Sequence, residues 1–393
     1  MSLRQLKIGY FVIEALNSIA ATFYLYYLFF LARDEFGFGN RGNLFLTALH
    51  GGVYLVASWL GGKFAQRHGY FTALRLGFSG MLVALVVGWL FPGVVGQVLA
   101  LALLTAPICL TWPTLEALVA EGEDFRGTAR MVGIYNVVWA GSAAVAYSLG
   151  GWWWERLGRA GLYGIPFAIV LAQLGLTLWL ERAAARLPKA APHAPPSHQP
   201  EDAARRQSVP PQRFLQMAWI ANPFAYVAIN TVGAIIPQLA ERFQLSATQS
   251  GVFCSLWFYV RLVAFIVLWQ WTGWHYRFRW LLAAFLGLIA GFATLVLASH
   301  LWMVITAQVI FGVATGLIYY SSLFYSMDVG DTKGEHGGLH EAAIGAGVCG
   351  GPLLGAVALS LVPAVPQAGA YAVTGLLAIG LAGLLRVRFR RAD

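Results

Sequence analysis

Residues 61–75 read Gly-Gly-Lys-Phe-Ala-Gln-Arg-His-Gly-Tyr-Phe-Thr-Ala-Leu-Arg and separate an apolar run at about 43–65 from another at about 71–91. The break is too short to hold a domain, and it carries Lys63, Arg67 and Arg75. Gly62 and Gly69 allow a tight turn, and Arg67 is placed to bond a neighbouring helix end. A hydrocarbon layer is about 30 Å thick and a helix rises about 1.5 Å per residue, so one crossing takes roughly 20 residues. Each flanking run meets that length. The stretch therefore reads as a basic turn between two membrane crossings, and the same reading extends in both directions.

Further apolar runs lie at about 8–31, 94–119, 129–153 and 160–181, and then at about 214–239, 248–272, 279–299, 301–327, 338–362 and 367–387. The expectation is an all-α polytopic membrane protein with twelve transmembrane helices in two sets of six. Its composition agrees: 59% of the 393 residues are hydrophobic and only 11% are charged, against roughly a quarter charged in soluble domains. A soluble, disordered, collagen-like or disulfide-stapled chain is excluded by the same figures. The one long polar stretch, 182–213, holds seven of the sixteen prolines and reads as a flexible linker between bundles at 1–181 and 214–393.

The charge pattern sets the orientation. With the N-terminus inside, inner segments hold 20 of the 26 basic residues, and outer loops hold five, Arg33, Arg41, Arg156, Arg159 and Arg242. That asymmetry places both termini and the linker in the cytoplasm. The net charge of +9 thus reflects membrane topology and gives no reason to expect nucleic acid. The basic Met1–Lys7 segment runs into an apolar stretch too long for a signal peptide, so it is read as a retained first helix. Trp152, Trp153 and Trp154 are expected at the outer interface and Trp269, Trp271, Trp274 and Trp280 at the inner one. Cys109, Cys254 and Cys349 lie in apolar runs at no metal-ligand spacing. No metal or cofactor is expected. The abundance of Arg over Lys, 22 to 4, with frequent Ala and Gly, points to a bacterial inner membrane.

The halves also resemble each other. Trp59, Arg67 and Gly77 match Trp269, Arg277 and Gly287 at one offset, and Gly133 to Asn136 matches Gly338 to Glu341 at a slightly shorter one. Such internal symmetry is expected of a duplicated six-helix unit. With the duplication in view, the 61–75 stretch resembles the loop between the second and third helices of the major facilitator superfamily. Gly62, Ala65, Arg67 and Gly69 fit that signature, whereas Gln66 replaces the usual Asp and Tyr70 the usual basic residue. Residues 239–246 are similar to the family's outer loop before the eighth helix. The resemblance implies secondary transport by alternating access, a cavity lined by helices one, four, seven and ten, and a gating role for Gly62, Arg67 and Gly69. Helix four lacks the Arg of many proton-coupled members. The Gly-x-x-x-Gly-Pro of drug antiporters, usual in helix five, stands instead in helix eleven, at Gly347 to Pro352.

Polar residues within the runs mark a pathway by default, because an ionisable group is costly in hydrocarbon. At helical spacing, one face of the first helix carries Tyr10, Glu14, Asn17 and Tyr24, and the second carries His50 and Tyr54. Trp139 lies in the fifth. The seventh presents Trp219, Asn222, Tyr226 and Asn230, the eighth Trp257, Arg261 and Phe265, the tenth Gln308, Tyr319 and Ser322, and the eleventh His340 and Glu341. These faces cannot all meet lipid, so an aqueous cavity between the halves is expected. It is lined by Asn17, Tyr24, Tyr54, Trp139, Asn222, Tyr226, Asn230, Trp257, Arg261, Gln308 and Tyr319. Arg261 is read as the anchor for an anionic substrate group, as counter-ion to Glu341 or Glu14, or as a structural donor to backbone carbonyls. Glu14, His340 and Glu341 are the candidates for carrying a proton, since burial and a neighbouring cation push a carboxylate's proton affinity in opposite directions. Glu116 and Arg130 are read as a structural ion pair at inner helix ends.

The expected function is transport of a small organic solute, anionic or zwitterionic, coupled to protons, by a chain that works as a monomer in the bilayer. Multidrug or lipid-like efflux is the alternative within transport, and a non-transporting sensor or assembly protein the alternative outside it. Catalysis is not expected: the chain has neither a metal motif of the His-Glu-x-x-His kind nor a phosphate loop, since Gly330 to Gly334 lacks the spacing.

Overall fold

Apolar runs of this length have one way to satisfy their backbone groups in hydrocarbon, and each becomes a helix. The computed structural model describes residues 2–123, 125–186, 210–329 and 335–390. In order, the elements are α1 (Leu3–Phe36), α2 (Asn40–His68), α3 (Tyr70–Leu90), α4 (Val94–Ala120) and a 60-residue helical run, Phe125–Ala184. Then follow α7 (Pro211–Arg242), α8 (Ala247–Gln270), α9 (Phe278–Leu297), α10 (Leu301–Val329), α11 (Glu335–Leu361) and α12 (Ala368–Phe389). Most of the 182–213 linker lies outside the described residues, as does the 330–334 segment.

The 60-residue run is two crossings. Gly158, at φ 52 and ψ −138, stands where a side chain is strongly disfavoured, and it divides the run into α5 (125–157) and α6 (159–184). The partners prove the reversal. Tyr135 of α5 and Gln173 of α6 both reach the Ile13–Glu14 turn of α1, whereas Gly150 and Tyr163 meet Tyr27 and Tyr24 further along it. Eleven long apolar helices among the described residues thus make twelve crossings. Other reversals use local chemistry: Gly37 ends α1 in the left-handed conformation, Gly69 at φ 90 closes the α2–α3 turn, and Ser246 caps α8 through a reciprocal bond with Gln249.

Helices α1 to α6 form one bundle and α7 to α12 the other, and equivalent contacts recur. Gly77 of α3 lies against Pro107 and Thr111 of α4, while Gly287 of α9 lies against Ile310 and Ala314 of α10. The bundles meet along two seams, α2 with α11 and α5 with α8. Glycine permits both. A Cβ on Gly51 would stand 2.2 Å from the Cys349 backbone nitrogen, and one on Gly151 would stand 2.0 Å from the Ala247 carbonyl oxygen. The Gly347–Pro352 motif serves a different contact, seating α11 on Pro223, Tyr226 and Val227 of α7.

Outward faces are apolar: Val56, Leu60, Val83, Val263, Val267 and Ile379 are exposed, a surface only lipid would cover. The chain is an integral membrane protein. Trp152, Trp269 and Trp271 are exposed as interfacial anchors should be and Trp153 and Trp280 are half-buried, but the other two expected anchors are buried. Trp154 is buried and donates to Asp34, and Trp274 packs inside the second bundle with its indole N–H on the Leu268 carbonyl.

Replacing Gly158 by alanine puts a Cβ on a backbone that costs about 1–3 kcal/mol for other residues. The expected result is a thermal midpoint several degrees lower in detergent, read by scanning fluorimetry. An unchanged midpoint would show that the reversal does not need the positive φ.

Candidate functional site

Arg261 enters the membrane centre on α8, one turn after Trp257 and one before Phe265, and is only 3% exposed. Its guanidinium carbon lies 4.5 Å from the Trp139 ring centroid, 5.3 Å from Trp257, 5.7 Å from Phe265 and 6.0 Å from Phe258. Trp139 comes from α5, so the cation sits at the seam between the bundles. Tyr319 of α10 joins the group, with its ring 5.5 Å from Trp139 and 5.6 Å from Phe265. The Arg261 charge also interacts with Tyr26 of α1 and Tyr226 of α7. Five helices from both halves thus converge on one side chain.

Neither carboxylate offered as its counter-ion reaches Arg261. Glu341 accepts a hydrogen bond from the Tyr54 hydroxyl at 2.5 Å, and Glu14 accepts from Ser18 at 2.8 Å and Tyr135 at 3.0 Å. Arg261 forms no hydrogen bond or ion pair with another described residue, and its Nε is sealed from solvent without a partner. Neither acid therefore serves as its counter-ion among the described residues. Nor does Glu116 pair with Arg130. Arg130 is exposed, while Glu116 faces inward and interacts with Glu341 and Tyr319. Glu116 and Glu341 interact with Tyr319, Glu116 also interacts with Glu14, and none of the three acids interacts with the guanidinium.

The Tyr54–Glu341 bond crosses the α2–α11 seam. His340 bonds Ser322 through Nδ1 at 3.2 Å, its Nε2 is unpartnered, and its ring lies 6.0 Å from Tyr319. Asn222, 1% exposed, has neither its amide nitrogen nor its oxygen paired. It stands on α7 between Trp219, which donates to Ser326, and Tyr226, whose ring is 6.4 Å from Tyr319. Trp139, Tyr226, His340, Glu116 and Glu341 are half-buried although they face the opposite bundle or one another, which leaves space between the bundles at this depth.

At the end of the bundles away from the chain termini the two halves are tied together. Arg33 donates to the Pro237 carbonyl at 3.0 Å, Gln238 to the Phe38 carbonyl at 2.9 Å, and the Thr248 N–H to Glu155 at 2.8 Å. Each bond joins the two bundles.

Other residues expected at the site lie elsewhere. Tyr24 packs on Tyr163 inside the first bundle, and Tyr26, two residues on and across the helix, takes the central position. Asn17 bonds Thr111 within the same bundle, Gln308 bridges α8 and α10 through the Phe253 carbonyl and the Trp257 N–H, and Asn230 bonds its own helix at Tyr226. Arg67 is exposed and, among the described residues, bonds no neighbouring helix end. Gly61, whose Cβ would stand 2.8 Å from the Cys109 carbonyl, makes a close approach to α4. Among the described residues no three His, Cys, Asp or Glu gather as metal ligands.

Two six-helix bundles with a cation between them at mid-membrane define a class of membrane protein. No family model matches the chain, and neither does a curated protein. Solved structures do. A POT family peptide transporter in an auto-inhibited form matches at TM-score 0.73 and 14% identity, over 99% of this chain and 98% of that one. The nucleoside transporter NupG matches at 0.70 and 12%, over 98% and 100%. The human organic anion transporter MFSD10 matches at 0.67 and 16%, over 98% and 100%. The chain has the fold of the major facilitator superfamily.

Burying a charge costs several kcal/mol, while each cation–π contact returns about 0.5–2 kcal/mol. An Arg261→Met variant, similar in length and uncharged, is expected to keep or raise the thermal midpoint. A fall of several degrees would make Arg261 a structural residue.

Proposed function

We propose that the protein is a secondary active transporter that moves a small organic solute by alternating access and is driven by protons. The observation that carries this reading is Arg261, a cation held at mid-membrane between two bundles with no partner of its own. A structural role would be served better by a neutral side chain, whereas a binding role requires the vacancy. The bodies that rock are residues 1–181 and 214–393, joined by 182–213. The tied end, outer in this reading, then belongs to the part of the cycle in which the site communicates with the interior. Orientation follows the basic residues, with both termini in the cytoplasm, and the arginine-rich composition favours a bacterial inner membrane. The peptide, nucleoside and organic anion transporters of the same fold support transport as the activity, at identities that speak only for the fold.

In this reading Arg261, Trp139, Tyr226, Tyr319, Trp257 and Asn222 contact the solute. Glu341 and Glu14 carry the proton, with His340 beside them. Protonating Glu341 changes its bond with Tyr54, which spans the α2–α11 seam, so proton binding bears directly on a contact the rocking motion must break. Glu116 joins them as a third acid that the sequence reading had assigned to Arg130. Gly62, Arg67 and Gly69 shape the inner turn between α2 and α3, where a latch to the other bundle would form in a different state.

If Glu341 or Glu14 carries the proton, its Gln variant should still exchange labelled solute across vesicles at equal pH. It should lose accumulation driven by an imposed pH gradient by tenfold or more. Gradient-driven uptake that survives unchanged in both variants would end the coupling assignment.

A further inference from the structure

The hydroxyls of Tyr26, Tyr226 and Tyr319 all interact with the Arg261 charge, and none of the three hydrogen-bonds a described residue. The guanidinium likewise bonds nothing, and only its Nε is sealed off, so the terminal Nη nitrogens remain for a ligand. One fixed positive charge and three free phenol donors, drawn from both bundles, form an anion site. The chemistry narrows the anion further. Two parallel N–H groups of a guanidinium match the two oxygens of a carboxylate, and the remaining lone pairs of those oxygens accept from hydroxyls.

Charge counting decides between candidates. Arg261 is the one Lys or Arg at mid-membrane among the described residues, and no described acid interacts with it. A dianion such as a phosphate monoester would bring a second negative charge that no cation meets. A simple amine would face Arg261 directly. An α-amino zwitterion seated on Arg261 would hold its ammonium beside the guanidinium, whose charge interacts with Tyr26, Tyr226 and Tyr319 and with no described acid. The walls set the body of the ligand. The half-buried Trp139 ring lies beside the cation with the Tyr319 ring at 31° to it and the fully buried Phe265 behind them, a surface suited to a flat unsaturated group.

We infer that the site between the bundles takes a singly charged aromatic carboxylate, with its carboxylate on Arg261 and the phenols of Tyr26, Tyr226 and Tyr319 and its ring against Trp139 and Tyr319. The assignment deepens the transport reading and rests on it only for the movement of the ligand. Binding stands on the geometry alone.

The test is calorimetric binding to the purified full chain in detergent, with phenylacetate as the probe. Acetate, phenylalanine, phenethylamine and phenyl phosphate serve as comparators that change the ring or the charge one at a time. Phenylacetate is expected to bind at least tenfold tighter than each comparator. Arg261→Met should abolish binding, Arg261→Lys should weaken it tenfold or more by losing the fork, and the Tyr226→Phe, Tyr319→Phe double variant should weaken it about three- to tenfold. The thermal midpoint of each variant separates lost binding from lost folding. Tighter binding of the amine, the zwitterion or the phosphate would overturn the inference. So would phenylacetate binding that Arg261→Met leaves unchanged, or no binding of phenylacetate at all. Counterflow in vesicles separates the two proposals. Phenylacetate that binds through Arg261 but does not exchange would leave the site standing and remove the transport reading. Exchange of a solute of another charge class would do the reverse.

Discussion

Hydrocarbon supplies no hydrogen bonds, and that absence governs this molecule from its helices to its central cation. Backbone groups turn inward on themselves, so every crossing is helical. Side chains that keep polarity at depth must find partners within the protein or await one. Most find them. Gln173 reaches the Ile13 carbonyl, Gln308 ties α8 to α10, and Gln97 is held by Tyr163 and the Gly88 carbonyl. Arg261 and Asn222 are among those that do not, and they stand between the bundles.

Packing makes the arrangement possible. Without a hydrophobic drive between helices in lipid, association depends on close contact, and glycine provides it at both seams. Gly51 against Cys349 and Gly151 against Ala247 bring backbones together, holding α2 on α11 and α5 on α8. Between those seams the lining residues are larger, and space opens at mid-depth. The tight seams hold the bundles in register while the aromatic residues between them surround the guanidinium from both sides. A device that rocks about such seams would change the site from two directions at once.

The architecture was legible in the sequence because its signals are one-dimensional. Apolar run length, basic loop asymmetry and the paired Trp59–Arg67–Gly77 and Trp269–Arg277–Gly287 patterns each survive without knowledge of contacts. Arg261 was legible for the same reason, as a charge in an apolar run. What each polar residue faces was not. Tyr24 and Tyr26 differ by about 200° around a helix, and choosing between them requires knowing which side of α1 meets the other bundle. A proline or basic residue betrays a turn, but nothing in the chain betrays that Glu116 turns away from Arg130 toward Glu341. The free amide of Asn222 was visible only as a polar residue on a face, like Asn17 and Asn230, which turn out to be bonded.

By itself, then, the sequence determined that this chain crosses a membrane as two repeated sets of helices, which ends carry the charge, and which few ionisable groups remain at depth. Hydrophobicity and periodicity act along the chain, and each helix responds to them alone. The tertiary structure decided which of those groups are satisfied and which are left facing one another across a seam. Pairing depends on rotation and depth of several helices at once, and no single segment encodes it. Glu341 with Tyr54, Glu14 with Tyr135 and Arg261 with no acid at all are properties of the assembled bundles.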